Sequence, residues 1–181
     1  MTMLTVIVYD RDAQLRRVVP MRWGFPDWKN PRLPKPIHAR AETIDSLDMF
    51  RDAFVHGQRG IVVFQTFNEG KEITPKKTEQ WTIDPGDGTP RGFAFLWRRF
   101  HPKDFPAPML ACVMVTVPAS PLIAPITDRM PAVLEQDDWE IWLGEQGADP
   151  AVVKSVLKPL HDARWTMKRE RKPSEAGEGF I

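Results

Sequence analysis

Residues 4–24 read LTVIVYDRDAQLRRVVPMRWG, and this stretch decides the fold class. Residues 4–9 are short, β-branched and bounded by Asp10-Arg11-Asp12, the pattern of a strand running into a turn. Residues 15–24 are the hairpin partner, with Pro20 confined to an edge or a bulge because it has no N–H for a ladder. Working outward, similar apolar runs recur at 61–67 (IVVFQTF), 81–83, 92–97 and 111–117, and 130–134 (MPAVL) reads as extended. Residues 84–90 (DPGDGTP) carry strong turn chemistry. Helical periodicity is scarcer. It spans 46–56, with Ser46 as cap, Leu47, Phe50 and Phe54 as the stripe and Gly57 as the stop. It returns at 136–143 and after Asp149-Pro150, where Val153, Val156, Leu157 and Leu160 form the apolar face. Strands outnumber helices without alternating with them. The expected class is therefore α+β, a mostly antiparallel sheet or barrel-like core with a few flanking helices.

The chain has 181 residues, read as one domain over 1–165 followed by a polar tail over 166–181. Apolar residues at 42% and charged residues at 27% exclude a largely disordered chain. Eighteen prolines disfavour long helices. The formal net charge of +1 supplies no bulk field for nucleic acid, so any such affinity must come from a local patch. A single cysteine, Cys112, excludes an intrachain disulfide and a cysteine-cluster zinc site. The opening MTMLTVIVYD has no basic leader, and no run approaches the ~18 apolar residues of a membrane span. A cytoplasmic, monomeric protein without membrane, metal or cofactor is expected.

No phosphate-cradling glycine loop, HExxH, GxSxG or EF-hand pattern is present. His38, His56, His101 and His161 are scattered at no metal-ligand spacing. Cys112, inside ACVMVTV, reads as a small buried hydrophobe. Trp139, Trp142 and Leu143 read as core, and Lys168, Arg169, Arg171 and Lys172 as a solvated tail. Three segments resist such readings. In WGFPDW (23–28), Trp28 reads equally as a platform for unpaired bases or as a core anchor. HARAET (38–43) packs an imidazole, a guanidinium and a carboxylate into six residues with no apolar period. TDRMP (127–131) adds Arg129, another cation near a turn.

In order along the chain, WGFPDW, HARAET, FRDAF (50–54), FNEGK (67–71) and TDRMPAVL (127–134) resemble the motifs of the SOS response-associated peptidase family, the abasic-site processing proteins. The resemblance runs from about residue 4 to residue 143. It implies a compact β-rich fold with a groove for single-stranded DNA, and covalent capture of an abasic-site aldehyde by an N-terminal cysteine, with the self-processing that frees it. Chemically, an α-amine forms a Schiff base with the aldehyde, a thiol closes a ring, and nearby acid and base groups move the protons. By resemblance Glu69 matches the catalytic glutamate, Arg40 and Arg129 match arginines on DNA phosphates, Thr116 matches a threonine lining the site, and Trp28 falls at a groove tryptophan.

The chain departs from the family at three places. Position 38 is His where asparagine is usual, and position 127 is Thr where the catalytic histidine is usual. The segment carrying the N-terminal cysteine is absent upstream of the first strand: the start lies downstream of the true one, or the nucleophile has been lost. Without Met1, Thr2 offers an amine beside a hydroxyl, which supports at most a reversible Schiff base. The paired exchange keeps one imidazole in the cleft, so His38 is expected to move protons beside Glu69 while Thr127 orients sugar or water. The alternative is that His38 only holds the Arg40 loop. Two functions therefore stand: a DNA-damage protein that binds abasic single-stranded DNA and crosslinks to it, and a nucleophile-free damaged-DNA-binding module or phage-type interaction protein on the same fold.

Overall fold

The structure is a computed structural model that describes residues 2–103, 105–160 and 164–170. Its centre is the hairpin of β1 (Met3–Asp10) and β2 (Leu15–Trp23), paired in unbroken antiparallel register from Met3↔Arg22 to Asp10↔Leu15. Pro20 faces Thr5 in that register. It is tolerated because β2 meets its other neighbour only at Arg22 and Trp23, so its far side is an edge. After β3 (His38–Arg40) and helix α1 (Asp48–Val55) come β4 (Arg59–Phe64), β5 (Phe67–Thr74), β6 (Lys77–Asp84), β7 (Arg91–Phe100) and β8 (Met109–Pro118). β9 (Arg129–Pro131), β10 (Val133–Leu134), α2 (Trp139–Leu143), α3 (Pro150–Ser155) and β11 (Thr166–Arg169) complete the chain.

Five strands close on themselves: β1 pairs β2, β2 pairs β8, β8 pairs β7, β7 pairs β4, and β4 returns to β1. Only the β2–β8 seam is parallel. This is the barrel-like α+β architecture the strand-rich sequence calls for. Val6 and Val8 point inward from β1, and Val113, Val115 and Val117 from β8, onto Met21, Ile61, Phe95 and Leu96. Cys112 is fully buried among them. Arg59, buried without a carboxylate partner among the described residues, donates to the Phe54 carbonyl at the end of α1 and the Trp142 carbonyl in α2, tying both helices to the barrel.

A second sheet stands off the barrel: β5, β6 and β11, all antiparallel. Here the structure corrects three expectations. The apolar run 61–67 is not one strand. It leaves the barrel at Phe64 and resumes as β5 at Phe67, a corner made by exposed Gln65 and Thr66 while the two phenyl rings meet edge to face at 5.5 Å. The short strand at 81–83 is the end of an eight-residue β6. Thr166–Arg169, assigned from composition to the polar tail, is strand β11, because Trp165 is buried against Phe64 and Phe67 and delivers the chain to the free edge of β6. Residues 171–181, with Arg171 and Lys172, lie outside the described residues, as does His161.

The helices differ in detail. Ser46 is not a cap: its Oγ bonds the Thr43 carbonyl, and α1 starts after Leu47 with no side-chain cap. Gly57, at φ 74°, does end it. Residues 136–138 form a 3₁₀ turn leading into α2. Asp149 Oδ1 accepts from Ala151 N at 2.8 Å and Pro150 opens α3. α3 stops at Ser155, so Leu157 and Leu160 pack from the segment beyond it. No helix is long and apolar enough to cross a membrane.

Candidate functional site

β8 is longer than the barrel needs. Past Cys112 it loses β2 on one side and past Met114 it loses β7 on the other, and two short strands take their places. β3 pairs in parallel at His38↔Met114, Ala39↔Val115 and Arg40↔Thr116, and β9 in antiparallel at Thr116↔Pro131 and Pro118↔Arg129. The two-residue period then sorts the side chains. Ala39, Val115, Val117 and Met130 face the core, whereas His38, Arg40, Met114, Thr116, Arg129 and Pro131 share the opposite face. That face is one wall of an open cleft, and Glu69 from β5 lines it too. His38, Arg40, Glu69, Thr116, Thr127 and Arg129, six of the seven residues singled out in the sequence, line this cleft together.

Trp28 is not among the lining residues. It is 84% exposed on the proline-rich loop between β2 and β3, with Lys29 Nζ 5.0 Å from its ring centre, so it is no core anchor. The loop is held in shape. Asp27 Oδ1 caps the turn through Lys29 N and Asn30 N, Asp27 N bonds the Leu33 carbonyl, and buried Arg22 donates to the carbonyls of Pro31 (2.5 Å) and Arg32 (2.7 Å).

Arg129 is held by the fold. Its Nη1 and Nη2 grip Glu42 Oε1 and Oε2 at 2.5 and 2.9 Å, and Nη2 also donates to the Thr116 carbonyl (2.7 Å) and hydroxyl (3.3 Å). This fork-to-fork pair holds the Glu42 carboxyl down to about 2. Lys154 of α3 fixes the same turn through the Glu42 carbonyl (3.1 Å) and Asp45 Oδ2 (2.7 Å). Glu42 stands in plain view in HARAET, but sequence gives no sign of which cation a carboxylate will meet. Arg40, by contrast, is exposed and its guanidinium makes no hydrogen bond among the described residues.

The two titratable groups facing each other across the cleft are shifted in opposite senses. The Glu69 carboxyl is raised by burial, against a smaller opposing pull from the Gly70 N–H. The His38 imidazole is lowered by burial beside Trp23, whose ring centre is 6.2 Å away and whose Nε1 donates to the Ile37 carbonyl at 3.1 Å. His38 is nonetheless exposed along much of its surface, and the lowering favours its neutral form, which accepts a proton. No hydrogen bond joins His38 directly to Glu69 among the described residues. Thr127 Oγ1 accepts from Arg129 N at 3.5 Å, a long contact that leaves its own proton to be donated into the cleft. No group of His, Cys, Asp and Glu among the described residues is arranged to hold a metal ion.

Residues 1–171 match the family described as SOS response associated peptidase (SRAP). Two curated relatives are similar over 159 residues, 86% of this chain. The abasic site processing protein YoqW of Bacillus subtilis is 31% identical with 69% of its length covered, and the abasic site processing protein YobE of the same organism is 30% identical with 70% covered. Among solved structures, a protein from Bacteroides thetaiotaomicron matches 94% of this chain and 74% of its own at a TM-score of 0.78 and 22% identity, which shows the shared fold. With HARAET, FNEGK and TDRMP brought together on one cleft, its barrel shared with a solved structure and its sequence matched from residue 1 to residue 171, this chain belongs to the SOS response associated peptidase family.

Proposed function

We propose that this protein binds abasic sites in single-stranded DNA and handles the lesion's aldehyde in the cleft between the β8 extension and β5. The observation that carries this reading is the meeting of Glu69, raised by burial, and His38, lowered by burial, in one solvent-open cleft beside an unbonded Arg40. A carboxyl that holds its proton longer than usual and a neutral imidazole form a donor and an acceptor for carbonyl chemistry near neutral pH. Arg40 takes the phosphate next to the lesion, Thr127 orients the sugar or a water, and Trp28 stacks on a neighbouring base from its rigid loop. Arg129 and Thr116 shape the wall.

Cys112 does not supply a thiol for a ring-closed linkage. Its side chain is fully buried and its thiol is pushed up to about 12, so it is neither accessible nor a thiolate at neutral pH. A denaturing gel of the protein mixed with abasic DNA is expected to show no persistent shifted band in the absence of a reductant.

Fluorescence anisotropy with abasic and intact single strands at two salt concentrations tests the reading. Arg40→Ala is expected to weaken both ligands alike and to reduce the salt slope by about 0.7, the value for one lost phosphate contact. Trp28→Ala is expected to cost about 1–3 kcal/mol of affinity. Equal affinity of the wild type for abasic and intact strands would overturn the proposal.

A further inference from the structure

By the two-residue period of β5, Phe67, Glu69 and Lys71 share one face; Phe67 is buried and Glu69 and Lys71 are half-buried, while Asn68 and Glu72 on the other face are exposed. Glu69 lines the cleft, and Lys71, which does not itself line it, is the next position on that face. Their backbone positions stand about 7 Å apart along the strand. Lys71 is on the next inward-facing step from the residues lining the cleft, and its flexible four-carbon stem spans such a step.

Two further observations single out this lysine. Its cross-strand partner is Glu79, the natural counter-ion, yet Glu79 Oε1 carries Arg169 Nη2 at 2.9 Å, and Lys71 makes no hydrogen bond or ion pair among the described residues. Of the other described lysines, only Lys154 is withdrawn from full exposure, and it is bound to Asp45 and the Glu42 carbonyl. Lys71 is therefore a half-buried residue whose amine has no bonded partner, two positions along the strand from a carboxyl suited to donate a proton.

We propose that Lys71 Nζ is the amine that condenses with the aldehyde of an abasic site seated in the cleft, an assignment that rests on the abasic-site reading above. The unprotonated Nζ adds its electron pair to C1′ of the ring-opened sugar while the carbonyl oxygen takes the Glu69 proton. The nitrogen gives up a proton to neutral His38. The C1′ hydroxyl takes that proton back from the His38 imidazolium and leaves as water, and a protonated carbon–nitrogen double bond remains. One amine and one aldehyde thus give one imine and one water, with no oxidation or reduction. The linkage is reversible by the same water.

The test uses the full chain with a single-stranded oligonucleotide bearing one abasic site, with and without sodium borohydride. The borohydride delivers hydride to the protonated imine and fixes it as a secondary amine. A borohydride-dependent band is expected with the abasic strand, absent with an intact strand, and peptide mapping is expected to find the adduct on Lys71. Lys71→Arg keeps the charge but cannot form the imine, so trapping should fall at least about tenfold while anisotropy affinity for the abasic strand stays within about twofold. Lys71→Gln with a thermal melt checks that the loss is not one of folding. Trapping at the wild-type level in Lys71→Arg overturns the proposal. So does an adduct mapped to the N-terminal amine. A wild type that prefers abasic DNA but traps nothing overturns the lysine assignment alone, whereas one without that preference overturns the abasic-site reading beneath it.

Discussion

The two walls of the cleft are built in different ways. The β3–β8–β9 wall is a continuation of the barrel: β8 passes through both, and backbone ladders set the positions of His38, Arg40 and Thr116. The β5–β6–β11 wall shares no ladder with the barrel. It is docked through rings: Phe67 is edge-on to Phe64 at 5.5 Å and to Phe93 at 5.3 Å, and Trp165 closes over both Phe64 and Phe67. Arg91 lies under Trp165, bound to Asp87 and Glu135, and its guanidinium is held above its ordinary value by those carboxylates. A ladder fixes register to one residue, while the apolar burial that drives ring packing is graded and non-directional. The wall that carries Glu69 and Lys71 is therefore the one that can shift as a unit while the wall carrying Arg40 stays in place.

The strongest way to break this contrast is Trp165→Ala. Removing a buried tryptophan is expected to cost about 3–5 kcal/mol in denaturant unfolding. If the walls are separable, amide exchange will rise in β5, β6 and β11 while β1, β2 and β8 keep their protection. A uniform rise through the barrel would show that both walls unfold as one unit and would end the distinction.

Glu42→Gln probes the ladder wall at about 1 kcal/mol, since the Arg129 pair is half-exposed and solvent screens it. The pH sign follows from the direction of the shift. A carboxyl lowered from 4.5 to about 2 on folding adds stability that is complete above 4.5 and lost as pH falls through 2. The wild type should lose stability more steeply than Glu42→Gln between pH 4.5 and 2 in acid titrations. Parallel curves would mean that Arg129 is held by Thr116 alone.

The smallest effect is expected from Glu170→Gln at the end of β11. Its Oε1 accepts from Asn68 Nδ2 (2.8 Å) and Thr82 Oγ1 (3.0 Å), on the face of the small sheet away from Glu69. The change should move stability by less than about 0.5 kcal/mol, yet raise exchange locally at Asn68 and Glu69. No local change would mean that the rings alone align β5.

Sequence alone determined the barrel's staves and most of the cleft. The β1–β2 hairpin, β7 and β8 are legible because their apolar, β-branched runs have strand length and are bounded by turn residues. HARAET and TDRMP are legible because charged groups cluster there with no apolar period to explain them, whereas FNEGK is legible only through the family resemblance. The second sheet was not legible: FNEGKEIT and KTEQWTID carry a glycine and many charges. Their strand form comes from pairing with each other and from Trp165 on the barrel, a contact across about a hundred residues of chain. The same holds for Arg129 and Arg40, which look alike in sequence. Tertiary structure alone placed Glu42 against one and left the other open to solvent, because an ion pair depends on which backbones end side by side and not on the residues that flank them.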